Sequence, residues 1–150
     1  MNRWDLFERL FTSFLAVIQP FIIFFLYGDD HAISKSWDTP LQPLFIITNA
    51  LTSFFFFKIP KWRMPAILLL LLTSFSVTDY FILHNIFATL FFVFSGISLW
   101  SLKKFRHYLG LFLLSFLFLF HGLFWTETFG IIVLVLYHMH VMFYTYFLRY

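Results

Sequence analysis

Cysteine is absent, which excludes disulfides, thiolate metal sites and thiol redox chemistry. Charge is scarce: 11% of the residues are Asp, Glu, Lys or Arg, whereas a soluble domain carries roughly 25%. So few charges cannot clothe a water-facing surface. Alternation of polar and apolar residues is missing too. The apolar runs are continuous, which speaks against a membrane β-barrel. No small-residue cleavage site follows the first apolar run, so that run is expected to be a span rather than a removed leader.

What fills the chain is hydrocarbon. Hydrophobic residues make up 61% of it and aromatic residues 25%, with a mean hydropathy of +0.87. We expect an integral membrane protein forming one transmembrane domain over residues 1–150. The net charge of +3 and pI near 9.3 are read as orientation in a membrane, not as affinity for nucleic acid.

Six apolar segments stand out: Leu6–Tyr27, Leu41–Phe57, Met64–Tyr80, Ile82–Leu102, Tyr108–Trp125 and Thr128–Leu148. A spanning helix needs about 17–25 residues. As a single helix, the stretch from Met64 to Leu102 would be about 58 Å long, against a hydrocarbon core of about 30 Å. It must fold back, and the polar residues of Asp79–His84 mark the turn. With both termini on the cytoplasmic side, every Lys and Arg except Lys35 falls inside (Arg3, Arg9, Lys58, Lys61, Arg63, Lys103, Lys104, Arg106, Arg149), and Asp29, Asp30, Asp38, Asp79 and Glu127 fall outside. This Lys/Arg bias of short loops sets the expected fold: an all-α, six-transmembrane-helix bundle, as in a bacterial cytoplasmic membrane. The loops KIPKWR and KKFRH would also meet anionic lipid.

Polar residues within the spans are the candidates for function. At about 100° per residue, His84, Ala88 and Ser95 share one line of the fourth helix, with Asn85, Thr89 and Gly96 beside it. Ile86, Phe87, Leu90, Val93, Phe94 and Ile97 take the opposite arc. Small and polar residues of this kind pack helices together in membranes. The second helix carries a patch of Thr48, Asn49, Thr52 and Ser53, and the fifth carries His121. In the sixth, His138 and His140 point about 200° apart. The first holds Gln19-Pro20, where proline is expected to kink the helix. His138 lies about 15 Å down its helix, and an ionisable residue at such depth needs a reason to be there.

A metal-dependent hydrolase would draw its ligands from Asp79, His84, His121 and His138, although no HExxH spacing assists. Haem would need axial histidines at matching depth, with His84 and His121 as the pair. A GxSxG elbow is missing, as is the internal repeat of a transporter. No cofactor is expected on these grounds. The outer loop between the first two spans is long for so small a protein, and it contributes Asp30, His31 and Ser34 as polar candidates.

That loop, with Ile33-Ser34 after the first helix and Pro43 before the second, is followed on the fourth helix by His84, Ala88, Phe91 and Phe92. Over about residues 31–95 the chain resembles the six-span superfamily of DRAM-like and Frag/Sfk-type membrane proteins, which includes relatives in glycosylphosphatidylinositol-lipid remodelling. The family often follows the Ile-Ser element with Asp and Gly, where this chain has Lys35-Ser36. The resemblance implies a lipid-associated protein whose outer face, including Ser34 and His84, is the working surface.

The expectation is an outward-facing polar pocket for a membrane lipid or other amphiphile, built from His84, Asp79, His121, Asn49, Asp30, His31 and Ser34. In it His84 would be the central hydrogen-bonding group and Asp79 its orienting partner. Two alternatives use the same residues differently. One is a membrane-embedded metal- or His/Asp-dependent enzyme acting on a lipid. The other is an accessory subunit, or one copy of a homo-oligomer, whose polar faces only hold helices together.

Overall fold

The computed structural model describes the backbone of residues 3–30, 32–101 and 103–147, with side chains for residues 4–30, 32–101 and 103–144. His31 therefore lies outside the described residues. Six α-helices follow one another: α1 (Arg3–Tyr27), α2 (Gln42–Phe57), α3 (Arg63–Ser74), α4 (Phe81–Trp100), α5 (Arg106–Ser115) and α6 (Leu123–Phe147), with short 3₁₀ turns between several of them. No strand occurs among the described residues.

Each helix packs on the next in sequence, and α6 returns to pack on α1, so the six form a closed ring. Contacts at the two ends show how the chain runs up and down. At one end Lys58 lies 3.8 Å from both Asp5 and Glu8, and Lys61 Nζ donates to the Ser101 carbonyl at 3.0 Å. At the other end Trp125 Nε1 donates to Asp29 at 3.1 Å, and Trp37 Nε1 donates to the Thr73 carbonyl at 2.6 Å. The basic loops gather at the first end and the acidic loops at the second.

Three stretches, Trp4–Tyr27, Phe81–Trp100 and Leu123–Tyr144, are long and apolar enough to cross a membrane. The other predicted spans are shorter helices. The α2 helix has 16 residues, or about 24 Å. The predicted span Met64–Tyr80 contains only the 12 residues of α3, about 18 Å. The α3 helix stops because Phe75 is extended, at φ −120° and ψ 124°, and the chain then turns around the Ser76 hydroxyl. That oxygen accepts the backbone N–H of Thr78 at 3.1 Å and of Asp79 at 3.0 Å. The reversal thus lies at residues 75–80, ahead of the expected Asp79–His84.

The predicted span Tyr108–Trp125 is not one helix either. The α5 helix ends at Ser115, whose hydroxyl donates to the Phe112 carbonyl at 2.6 Å, and Phe116–His121 continues as a 3₁₀ helix. A 3₁₀ helix rises about 2.0 Å per residue, so this narrower coil reaches further for its length. Gly122, at φ +118°, lets the chain reverse into α6.

Aromatic packing joins the helices toward the basic end. Trp62 is fully buried with its ring 4.8 Å from Phe56 and 5.3 Å from Tyr137, in a cluster that also holds Leu99, Phe105, Phe112 and Leu134. A smaller cluster of Ile23, Ile33, Phe45 and Phe124 closes the acidic end. The outside is apolar as well: Trp4, Phe25, Ile82, Leu117 and Phe120 are all more than half exposed. A water-soluble surface would not carry so much hydrocarbon.

Candidate functional site

Inside the ring is a cavity of about 120 Å³. Its walls are helical stripes. From α1 come Arg9, Thr12, Ser13, Ala16 and Gln19, and from α2 come Phe45, Thr48, Asn49, Thr52, Phe55 and Phe56. These steps of three and four residues are the spacing at which side chains share a helix face. The α6 helix adds Glu127, Ile131, Leu134, Val135, His138 and Met142. Leu69, Leu72, Ala88, Phe91 and Phe92 of α3 and α4 complete an apolar side, and Ile33 and Ser34 of the α1–α2 connection border it.

The polar wall is not satisfied by the protein. Thr12 Oγ1, Gln19 Nε2, Thr48 Oγ1, His138 Nε2 and Arg9 Nε are buried atoms with no hydrogen-bond partner, and all belong to residues lining the cavity. Buried polar groups are nearly always paired, and each one left unpaired costs about 1–3 kcal/mol. These orphan atoms belong to residues that border one cavity, and each atom is itself covered by protein. Proline contributes here: Pro20 is buried beside Gln19, within α1.

The acidic end of the cavity is bordered by Glu127, 9% exposed, which accepts the Ser34 backbone N–H at 3.3 Å. At the basic end, Arg9 lies with its guanidinium 6.0 Å from the Phe55 ring centre. The His138 ring stacks on Phe56 at 4.5 Å and meets Trp62 edge-on at 4.7 Å. Arg9, Glu127 and His138 are the ionisable residues of this wall.

Among the residues singled out from sequence, Asn49, Ser34 and His138 line the cavity, as do Gln19 and Thr48 and Thr52 of the α2 patch. His84, Asp79, His121 and Asp30 do not. His84 is buried, but its ring faces the turn after α3: Nδ1 lies 2.8 Å from the Phe75 carbonyl. A carbonyl only accepts, so Nδ1 carries the proton and His84 holds the end of α3 to the start of α4. Its orienting partner is thus a peptide group and not Asp79, which is exposed and bonds through its backbone to Ser76. His121 is exposed beside Phe118, ring centres 6.4 Å apart, and Asp30 is exposed at the end of the first loop.

Asp79, His84, His121 and His138 therefore occupy four separate surroundings. Among the described residues no group of three or more His, Asp or Glu side chains is placed to hold a metal ion. The polar face of α4 is inward in part, with His84 and Ser95 buried and Ile86, Leu90, Val93 and Ile97 exposed, while Thr89 on the adjacent line is exposed too. Its role in this structure is packing.

Sequence reasoning missed the α1 stripe. Its signal was present in the spacing of Thr12, Ser13, Ala16 and Gln19 along an otherwise apolar helix. Glu127 was read as marking a surface, yet it is buried. Outside the helices, the Asp38 carboxyl is held below the usual carboxylate range, first by the Thr78 hydroxyl and also by Ser76, at 2.6 and 2.9 Å. This clasp ties the α1–α2 connection to the α3–α4 turn.

No family model, no curated protein and no solved structure matches this chain.

Proposed function

We propose that this is a six-span integral membrane protein, with both termini on the cytoplasmic side, whose central cavity holds a lipid or other amphiphile. The observation that carries this reading is the gathering around one cavity of Thr12, Gln19, Thr48 and His138, each with an unpaired polar atom, together with an otherwise apolar wall of Phe45, Phe56, Leu69, Leu72 and Phe91. A site apolar on one side, with a few fixed polar groups on the other, suits a ligand of mixed character. The exposed hydrocarbon surface and the separation of basic from acidic loops support the span number and orientation. The family resemblance points the same way, toward a lipid-associated protein.

The test is lipid retention. Protein purified in mild detergent is analysed by native mass spectrometry, and Gln19→Leu/Thr48→Val is compared with wild type. The expected result is a co-purifying amphiphile lost in the double variant, with its size-exclusion profile unchanged. Equal retention by both proteins, or none by wild type after reconstitution with membrane lipid extract, overturns the proposal.

A further inference from the structure

We infer that the cavity selects a single-chain anionic amphiphile, seating its carboxylate or phosphate between Arg9, Thr12 and His138 at the basic end and its chain along the aromatic wall toward Glu127. The inference rests on the amphiphile reading above and names the ligand's class and direction.

Size is the first constraint. A volume of about 120 Å³ is of the order of an apolar cavity that takes up one benzene. It takes the head group and the first few carbons of one narrow chain, the rest of which leaves through the open side of the pocket, and it does not admit the body of a two-chain lipid. Shape is the second. The α1 stripe from Arg9 to Gln19 covers about 15 Å of helix, so the cavity is a slot along the bundle axis with unlike ends.

Charge gives direction. The half-buried Arg9 has its Nε buried without a partner. One turn above, Thr12 is 6% exposed with an unpaired hydroxyl. Across the ring, His138 presents an unpaired Nε2. A cation with two hydrogen-bonding groups converging on one end of a slot fits an anionic oxygen group, and arginine forks match carboxylate and phosphate. A chain running from Arg9 meets Ala16, Phe55, Phe56, Leu134 and Phe91.

Three probes decide it, used on the full chain in nonionic detergent: oleate, monoolein and acetate. The first two share one chain and differ in the head; the third is the anion without the chain. Binding is read by native mass spectrometry and by the rise in melting temperature. Wild type is expected to bind oleate more tightly than monoolein, with acetate failing to compete at millimolar concentration. Arg9→Gln is expected to weaken oleate about ten- to a hundred-fold, the worth of one or two charge-assisted hydrogen bonds, and to leave monoolein unchanged. Arg9→Lys keeps the charge and is expected to retain part of the preference. If Arg9→Gln does not fold, Thr12→Val carries the same test with a smaller expected loss.

Equal binding of oleate and monoolein by wild type overturns this inference and leaves the amphiphile reading standing. Binding of neither overturns both. Competition by acetate at the affinity of oleate makes the site one for a free anion and overturns the amphiphile half.

Discussion

The two sides of the ring treat the same side chains in opposite ways. On α3, α4 and α5, hydroxyls are mostly consumed at home. Thr73 donates to the Leu69 carbonyl and Ser74 to that of Leu70. Ser98 donates to Phe94 and Lys61 carbonyls, and Ser115 to Phe112. On α1, α2 and α6, Thr12, Thr48 and Thr128 leave their hydroxyls unpaired, as do the side-chain nitrogens of Gln19 and His138. The division is not absolute. Ser95 Oγ and His84 Nε2 on α4 are unpaired, and Thr52 on α2 bonds back to Thr48. In a medium without water, a hydroxyl that bonds to its own helix costs the bundle little. One left unpaired costs more. The α3–α4–α5 side thus pairs most of its hydroxyls and the α1–α2–α6 side leaves more of its own unpaired; in the function proposed above, that second side is the site.

The largest expected effect breaks the packed side. Trp62→Ala removes a ring stacked between Phe56 and Tyr137 and should destabilise the bundle by about 3–5 kcal/mol. Thermal unfolding in detergent measures it, and a loss below about 1 kcal/mol would mean this cluster does not hold the ring together.

Next comes a matched pair of enlargements. Ala66, fully buried in the packed cluster, and Ala16, on the cavity wall, are each changed to Leu. Ala66→Leu should cost about 1–3 kcal/mol through overpacking. Ala16→Leu should cost little or stabilise, while abolishing amphiphile binding. Equal destabilisation by the two would erase the distinction between the sides.

A smaller pair compares hydroxyls. Thr73→Val forfeits an intrahelical bond and should cost about 1 kcal/mol. Thr48→Val removes an unpaired group, so the ligand-free protein should be unchanged or slightly more stable, with weaker binding. Melting temperatures taken with and without oleate separate these outcomes.

The smallest effect concerns pH. Asp38, exposed, has its pKa lowered by hydrogen bonds from Thr78 and Ser76. A lowered folded pKa stabilises above the unfolded value of 3.8, and that gain is lost as pH falls through the folded value. Wild type should therefore lose a small increment of stability below about pH 4 that Asp38→Asn does not lose. Parallel acid melts of the two proteins would remove the clasp from the account.

Much of the helix pattern was legible in advance. The runs that became α1, α2, α4 and α6 were visible because hydrophobicity is local, and the inward face of α4 followed from its period. The end of α3 was not legible, because it depends on Ser76 meeting Asp38 from another loop. Nor was the 3₁₀ passage Phe116–His121, whose residues read as helix like their neighbours. For the site, Asn49, Ser34 and His138 were among the residues singled out, as were Gln19, Thr48 and Thr52. His84 and His121 were favoured because histidines are rare in such a chain, and rarity says nothing about direction.

By itself, the sequence determined a helical, membrane-compatible chain with basic and acidic loops in alternation, since composition and periodicity act residue by residue. Only the tertiary structure decided which polar stripes share a space. The closure of α6 onto α1 brings His138 and Glu127 to the cavity shared with Arg9 and Gln19 across more than a hundred residues of chain. No local pattern encodes such a contact, because it depends on how every intervening helix packs.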